Sequence, residues 1–183
     1  MTDLLIVRAF ASDATPADPT GSTPGPGTGP GAAPLTDWRL IHNAIIPTAP
    51  LSEEQVRERA GRNLLDVAYA DGVPVGCSTV RPPDEETPAA TVISRILPEY
   101  RGRGFGTALY ERGLGHARTL SEAGVETVVL ASNTEGLRFA RARGFVETER
   151  YLLPGDTVPF VTLRLAEPGT GTDPGFEATA ASG

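Results

Sequence analysis

The run Arg101-Gly102-Arg103-Gly104-Phe105-Gly106 stands between a strand-like stretch that ends at Leu97 and a helix-like stretch that opens near Phe105. At such a turn the first helical amides lack internal partners, and the helix dipole adds roughly half a positive charge. A phosphate fits there. Gly104 and Gly106 remove the Cβ atoms that would hold it away from the amides, and Arg101 and Arg103 bring cations to the rim. The run therefore reads as a cradle for two linked phosphates. It is not the G-x-G-x-x-G dinucleotide fingerprint, which from Gly102 or Gly104 would need glycine where Thr107 or Leu109 stands. Nor is it a phosphate loop of the NTPase type, because the chain contains no lysine to follow the glycines. In isolation it would be a solvated glycine-arginine turn, so its surroundings decide.

Working outward, residues 90–97 form the strand before the run and residues 105–123 the helix after it. Gly113 and Gly115 inside that helix cost about 1 kcal/mol each relative to alanine. Upstream, residues 4–10 read as a strand. In residues 12–34, 11 of 23 are proline or glycine, so a flexible insertion is expected. Thr36 or Asp37 can cap a helix over residues 38–44, and Ser52 opens a second with Glu54 and Gln55 in its first turn. Pro47 and Pro50 separate the two. Strands at 64–70 and 73–80 are joined by Asp71-Gly72, a strong hairpin signal. Residues 81–88 form a charged, proline-broken loop. Downstream come a strand at 125–131, a helix at 135–143 closed by Gly144, and strands at 146–152 and 158–165 about the Pro154-Gly155 turn. Residues 167–183 have little to bury and are expected to be a disordered tail. The element order predicts an α+β fold with a mixed sheet, and 183 residues with 39% hydrophobic content suit one core, built from residues 1–11 and 35–166.

The formal charge of −7 disfavours nucleic acid, and there is no polybasic arm for an anionic membrane. All 16 basic residues are arginine. From Arg95 to Arg150 nine arginines meet seven glutamates, so an anionic ligand would choose this stretch. The single cysteine, Cys77, excludes an internal disulfide and a cysteine-rich metal site, and suits a reducing compartment. It reads as a buried small hydrophobe rather than an acyl-carrying nucleophile. Asp3 before the apolar run 4–7 and Arg8 after it reverse the charge order of a signal peptide, and no 18 apolar residues run together. A cytoplasmic protein without a bound metal is expected.

Arg101, Gly104 and Gly106 match the [Q/R]-x-x-G-x-[G/A] signature, and Pro98-Glu99-Tyr100 resembles its usual lead-in. With Asn133 after the next strand and Gly144-Phe145 closing a short helix, the chain resembles the GNAT superfamily of acyl-CoA-dependent N-acyltransferases over residues 4–165. The resemblance implies a mostly antiparallel sheet of about seven strands, helices on both faces, and a central parallel pair splayed at the cofactor. It implies acetyl-CoA as co-substrate and an amine acceptor, and admits a homodimer. The main chain of Ser94, Arg95 and Ile96 would pair with the pantetheine arm as an added strand does. Ile96 N–H would be the donor to the thioester oxygen as it becomes an oxyanion. Arg101, Gly102, Arg103, Gly104, Phe105, Gly106 and Thr107 would surround the pyrophosphate, and Asn133 would lie near the pantetheine, where the central strands part.

Direct attack by a deprotonated amine is the chemistry the resemblance implies. The tyrosine that often protonates the leaving thiolate would stand at Ala140, and the glutamate that some members carry at Ala90. Both usual acid-base positions are thus apolar. His42, on the acceptor side, is the candidate base; His116, Tyr110 and Tyr151 read as structural and Glu99 as solvated. The leading expectation is an N-acetyltransferase acting on a primary amine of a small molecule or protein, with a degenerate acyl-CoA sensor as the rival. Residues 38–62 and 151–160 would form the acceptor pocket.

Overall fold

The computed structural model describes residues 2–10 and 34–166, so the expectations for the insertion and the tail lie outside the described residues, Pro34 excepted. Seven strands form one mixed sheet in the order β1-β2-β3-β4-β5-β7-β6: β1 (Leu4–Ala9), β2 (Leu64–Ala70), β3 (Val73–Arg81), β4 (Ala90–Ile96), β5 (Val125–Leu130), β6 (Phe145–Tyr151) and β7 (Phe160–Leu165). Four helices cover it: α1 (Pro34–Ile45), α2 (Glu53–Arg62), α3 (Phe105–Leu120) and α4 (Thr134–Arg141). The expected element order and mixed sheet are both present. Among the described residues, no helix is long and apolar enough to cross a membrane.

The β2–β3 hairpin turns at Asp71 (φ 49°) and Gly72 (φ 81°), the positive angles that a two-residue turn of this twist requires. Both strands are buried almost throughout because both faces are covered. On one face α1 and α2 pack Trp38, Ile41 and Val56 onto Leu65, Val67 and Cys77. On the other, α3 and α4 pack Tyr110, Ala117, Leu137 and Ala140 onto Val80, Val92 and Leu163.

Local signals explain most helix ends. Ser52 Oγ accepts from Gln55 N–H at 3.2 Å while Gln55 Oε1 accepts from Ser52 N–H at 2.8 Å, a reciprocal cap for α2. At α1 the expected cap is wrong. The helix begins at Pro34, whose fixed φ suits a first turn, so Thr36 and Asp37 lie inside it. The Asp37 carboxylate instead accepts from the Tyr69 hydroxyl at 2.6 Å. Trp38 is fully buried and donates from Nε1 to Ser78 O at 2.9 Å. His42 stacks on it with ring centroids 5.1 Å apart. Burial first, then the charges of Arg95 and Arg59, lower the His42 pKa to about 4.

Helix α3 crosses the sheet closely. A Cβ at Gly113 would lie 2.8 Å from Val92 Cγ1, so only glycine permits this approach, whereas nothing lies within 4 Å of one at Gly115. The helix is also tied by charge. Asp66, buried on β2, accepts from Arg8 Nε at 2.6 Å and Arg112 Nε at 3.2 Å, and His116 Nε2 lies 2.9 Å from Arg8 Nη2. His116 is thus part of a clamp joining β1, β2 and α3.

Two tests follow from this packing. Gly113→Ala should destabilise by about 1–3 kcal/mol through overpacking, while Gly115→Ala should stabilise by about 0.5–1 kcal/mol through helix propensity. Denaturant midpoints at constant m-value check both. For His42 the folded pKa lies below the unfolded value of about 6.5, so its contribution is complete above pH 6.5 and is lost as pH falls toward 4. The stability difference between parent and His42→Phe, measured from pH 7 to 4, should shrink across that window.

Candidate active site

Strands β4 and β5 run parallel but pair only at Ala90↔Val125 and Thr91↔Glu126. Beyond Thr91 they part and leave a cleft. Ala90 N–H donates toward β5, to Gly124 O at 3.1 Å, and Leu97 N–H donates toward β3, to Val75 O at 3.0 Å. Main-chain groups alternate sides along a strand, so Val92, Ser94 and Ile96 turn theirs to the cleft, and Ile93 and Arg95 turn theirs to β3. Ser94 and Ile96 N–H, about 6.6 Å apart, thus lie on an edge that β5 has left. Arg101 Nε donates to Ile96 O at 3.2 Å, satisfying that carbonyl locally. The expectation for Arg95 needs correction: the residue lines the cleft, but its main-chain groups turn to β3 in the pairing with Cys77.

At the cleft mouth a 3₁₀ turn, Pro98–Tyr100, leads into the glycine run. Gly102 (φ 74°) and Gly104 (φ 86°) are left-handed, a conformation L side chains rarely adopt. Gly104 is the N-cap of α3 and supplies no side-chain cap. The first helical bonds run from Thr107 and Ala108 N–H to Gly104 O, so the amides of Phe105 and Gly106 point outward at the positive end of a 16-residue helix. A Cβ on Gly106 would stand 3.5 Å from Ile96 Cγ1 and 3.8 Å from Phe139 Cε2, inside the cleft wall.

The cleft encloses about 640 Å³. Of the expected residues, Ser94, Arg95, Ile96, Arg101, Gly102, Gly104, Gly106, Thr107 and Asn133 line it. Two side chains do not. Phe105 is buried with Leu109 in the core beneath, where its ring gains more than it would at a polar rim. Arg103 turns back so that Nη2 donates to Glu99 O at 3.4 Å, with its guanidinium over the Tyr100 ring. Asn133 caps α4, its Oδ1 accepting from Gly136 N–H at 2.9 Å; a Cβ at Gly136 would collide with that amide at 2.6 Å. Arg101 reaches across the mouth to Glu135 at 3.1 Å.

Sequence reasoning missed the α4 wall. Arg138, Phe139 and Arg143 line the cleft. Arg143 lies 3.4 Å from the Phe139 ring centroid and donates to Thr107 Oγ1 at 2.6 Å. The arginine excess after residue 95 was the available signal, but it did not say which arginines face inward.

Neither apolar acid-base position is replaced by an obvious group. Ala90 and Ala140 are both buried in the core. His42 is neutral near pH 7 and a weak base. Tyr110 packs edge-on to Phe139 and Phe145, with its phenol pKa raised mainly by burial. Tyr151 stacks on Phe160. The Cys77 thiol is fully buried and pushed up to about 12, which removes it as an acyl carrier.

Solved structures share this architecture. One, provisionally assigned as a phosphinothricin N-acetyltransferase, is 19% identical with a TM-score of 0.65, covering 90% of this chain and 100% of its own. A Salmonella typhimurium protein solved with its cofactor acetyl-CoA is 13% identical, TM-score 0.61, covering 88% and 92%. The ribosomal-protein-alanine N-acetyltransferase of Brucella melitensis is 18% identical, TM-score 0.62, covering 87% and 98%. At these identities the likeness concerns the fold. No curated protein sequence matches the chain. Residues 35–145, more than half of the chain, match the model of the acetyltransferase (GNAT) family, and the chain belongs to that family of acetyl-CoA-dependent acetyltransferases.

Proposed function

We propose that the protein transfers an acetyl group from acetyl-CoA to a primary amine of a small molecule or protein by direct attack. One observation carries this reading. The unpaired main-chain edge at Ser94 and Ile96 continues into uncapped amides at the start of α3, offering a strand partner and a phosphate seat in one line.

Acetyl-CoA brings an acyl group already activated as a thioester. Amides from Arg103 to Gly106 hold the pyrophosphate, with Arg101 at the rim. Ser94 and Ile96 pair with the pantetheine arm, and Asn133 stands opposite them with its Nδ2 donor available. The N–H of Ile96 stabilises negative charge as it develops on the thioester oxygen. The amine nitrogen forms the new C–N bond as the C–S bond breaks; the amine proton leaves to water and the thiolate takes a proton from water. Ala90 and Ala140 offer no titratable group, so the protein contributes orientation and electrostatics more than proton transfer.

The same two alanines favour a second reading, an acyl-CoA-binding sensor module without turnover. Thiol release from acetyl-CoA with a panel of amines, with mass detection of the acetylated product, separates the two. Product supports the enzyme; binding without product with any amine supports the sensor.

Two variants sharpen the enzyme reading. Gly106→Val should weaken acetyl-CoA at least tenfold in calorimetry with the melting temperature near the parent's, since its Cβ points into cleft space; equal affinity overturns the cradle. Tyr110→Phe and Tyr151→Phe should each keep most of the activity, and the rate should rise with pH toward the pKa of the acceptor amine, whose neutral form attacks. A loss of about a hundredfold in either variant at unchanged acetyl-CoA affinity would assign that tyrosine as the general acid.

A further inference from the structure

Arg95 leads from the cleft to a cluster of positive charge that the acetyl donor does not use. Antiparallel pairing sets Cys77 opposite Arg95, Thr79 opposite Ile93 and Arg81 opposite Thr91, so Arg81 and Arg95 share the face covered by α1 and α2. Helix α2 brings Arg59 to the same place. The three act on one another: Arg81 opposes the charge of both Arg59 and Arg95, and Arg59 opposes that of Arg95.

Most arginines elsewhere meet a carboxylate. Arg8 and Arg112 share Asp66, Arg101 meets Glu135, Arg141 and Arg150 share Glu147, and Arg164 meets Glu126. Arg59, Arg81 and Arg95 form no such ion pair among the described residues. Arg95 instead stands opposite Cys77 on β3, whose thiol favours its charge. Glu58, whose charge favours that of Arg59, is itself paired with Arg62 at 3.1 Å. His42, 5% exposed and close to Arg95 and Arg59, leaves its Nδ1 without a partner. In a chain of net charge −7, three guanidinium groups that repel one another and hold no carboxylate in an ion pair among the described residues, beside an open buried polar atom, mark a place for an anion that no described side chain supplies.

We propose that the accepted amine is a small molecule bearing its own oxyanion, a carboxylate or phosphorus oxyacid, held by Arg59 and Arg81 with Arg95 toward the cleft: an amino-acid-like zwitterion. This rests on the acetyl-transfer reading of the cleft. A peptide N-terminus fits less well, because its α-carboxyl is tied up in an amide and carries no charge beside the amine.

The test compares α-amino acids with their methyl esters as acceptors, rates being expressed per unprotonated amine. The free acids should exceed their esters at least tenfold in kcat/KM. Arg81→Ala and Arg59→Gln should raise KM for the acids at least tenfold while the acetyl-CoA Kd, by calorimetry, stays at the parent value. Esters accepted as well as acids, a preference surviving in both variants, or an acidic peptide accepted ahead of the free acids would overturn the proposal. If no acceptor is turned over, the transfer reading fails on its own. The anion site is then read by calorimetry of inorganic phosphate and free amino acids on the CoA-saturated protein. A tenfold weaker affinity in Arg81→Ala upholds it, and no binding overturns it.

Discussion

Everything at the cleft depends on β4 and β5 parting after two residue pairs. A main-chain donor shut away from water must find a partner, and in a regular sheet β5 would have supplied one to Val92, Ser94 and Ile96. Its departure turns an inner strand into an edge within the sheet. Exposed edges invite promiscuous pairing, but this one is short and faces a cleft whose other lining includes Arg138 and Phe139 of α4. The left-handed glycines continue the same logic, since Gly102 and Gly104 line the cleft mouth with main chain and no side chain in the way.

Much of this was legible in the residues. Asp71-Gly72 named its hairpin, Ser52 and Gln55 their capping box, and the glycine-arginine run its helix start, because each signal is local and has few physical solutions. Placement of β7 between β5 and β6 was not legible, since strand order across a sheet is decided by packing of distant segments. Asp37 was misread for a related reason: its partner, Tyr69, is 32 residues away. The direction of a side chain was the hardest inference. Phe105 and Arg103 belong to the signature run, yet one turns into the core and the other back along its own loop, so that neither side chain lines the cleft.

Gly113 shows how a residue can look costly until its neighbours are known. Judged by helix propensity it is a defect; judged by the 2.8 Å separation its side chain would have from Val92, it sets how near α3 lies to β4. That distance in turn fixes the height of the α3 amides relative to the strand edge, so the first turn of α3 and the strand edge are registered to each other through one missing methyl group.

The strand order also constrains how the chain is assembled in time. β7 is the last strand described, yet it lies inside the sheet, pairing with β5 on one side and β6 on the other. While the polypeptide emerges from the ribosome, β1 to β4 can collapse with α1, α2 and α3, but β5 keeps one bare side and β6 has no neighbour until residues 160–165 arrive. The part from β5 onward, residues 125–165, therefore waits as a vulnerable intermediate, and the wall carrying Asn133 and Arg143 is completed late in synthesis.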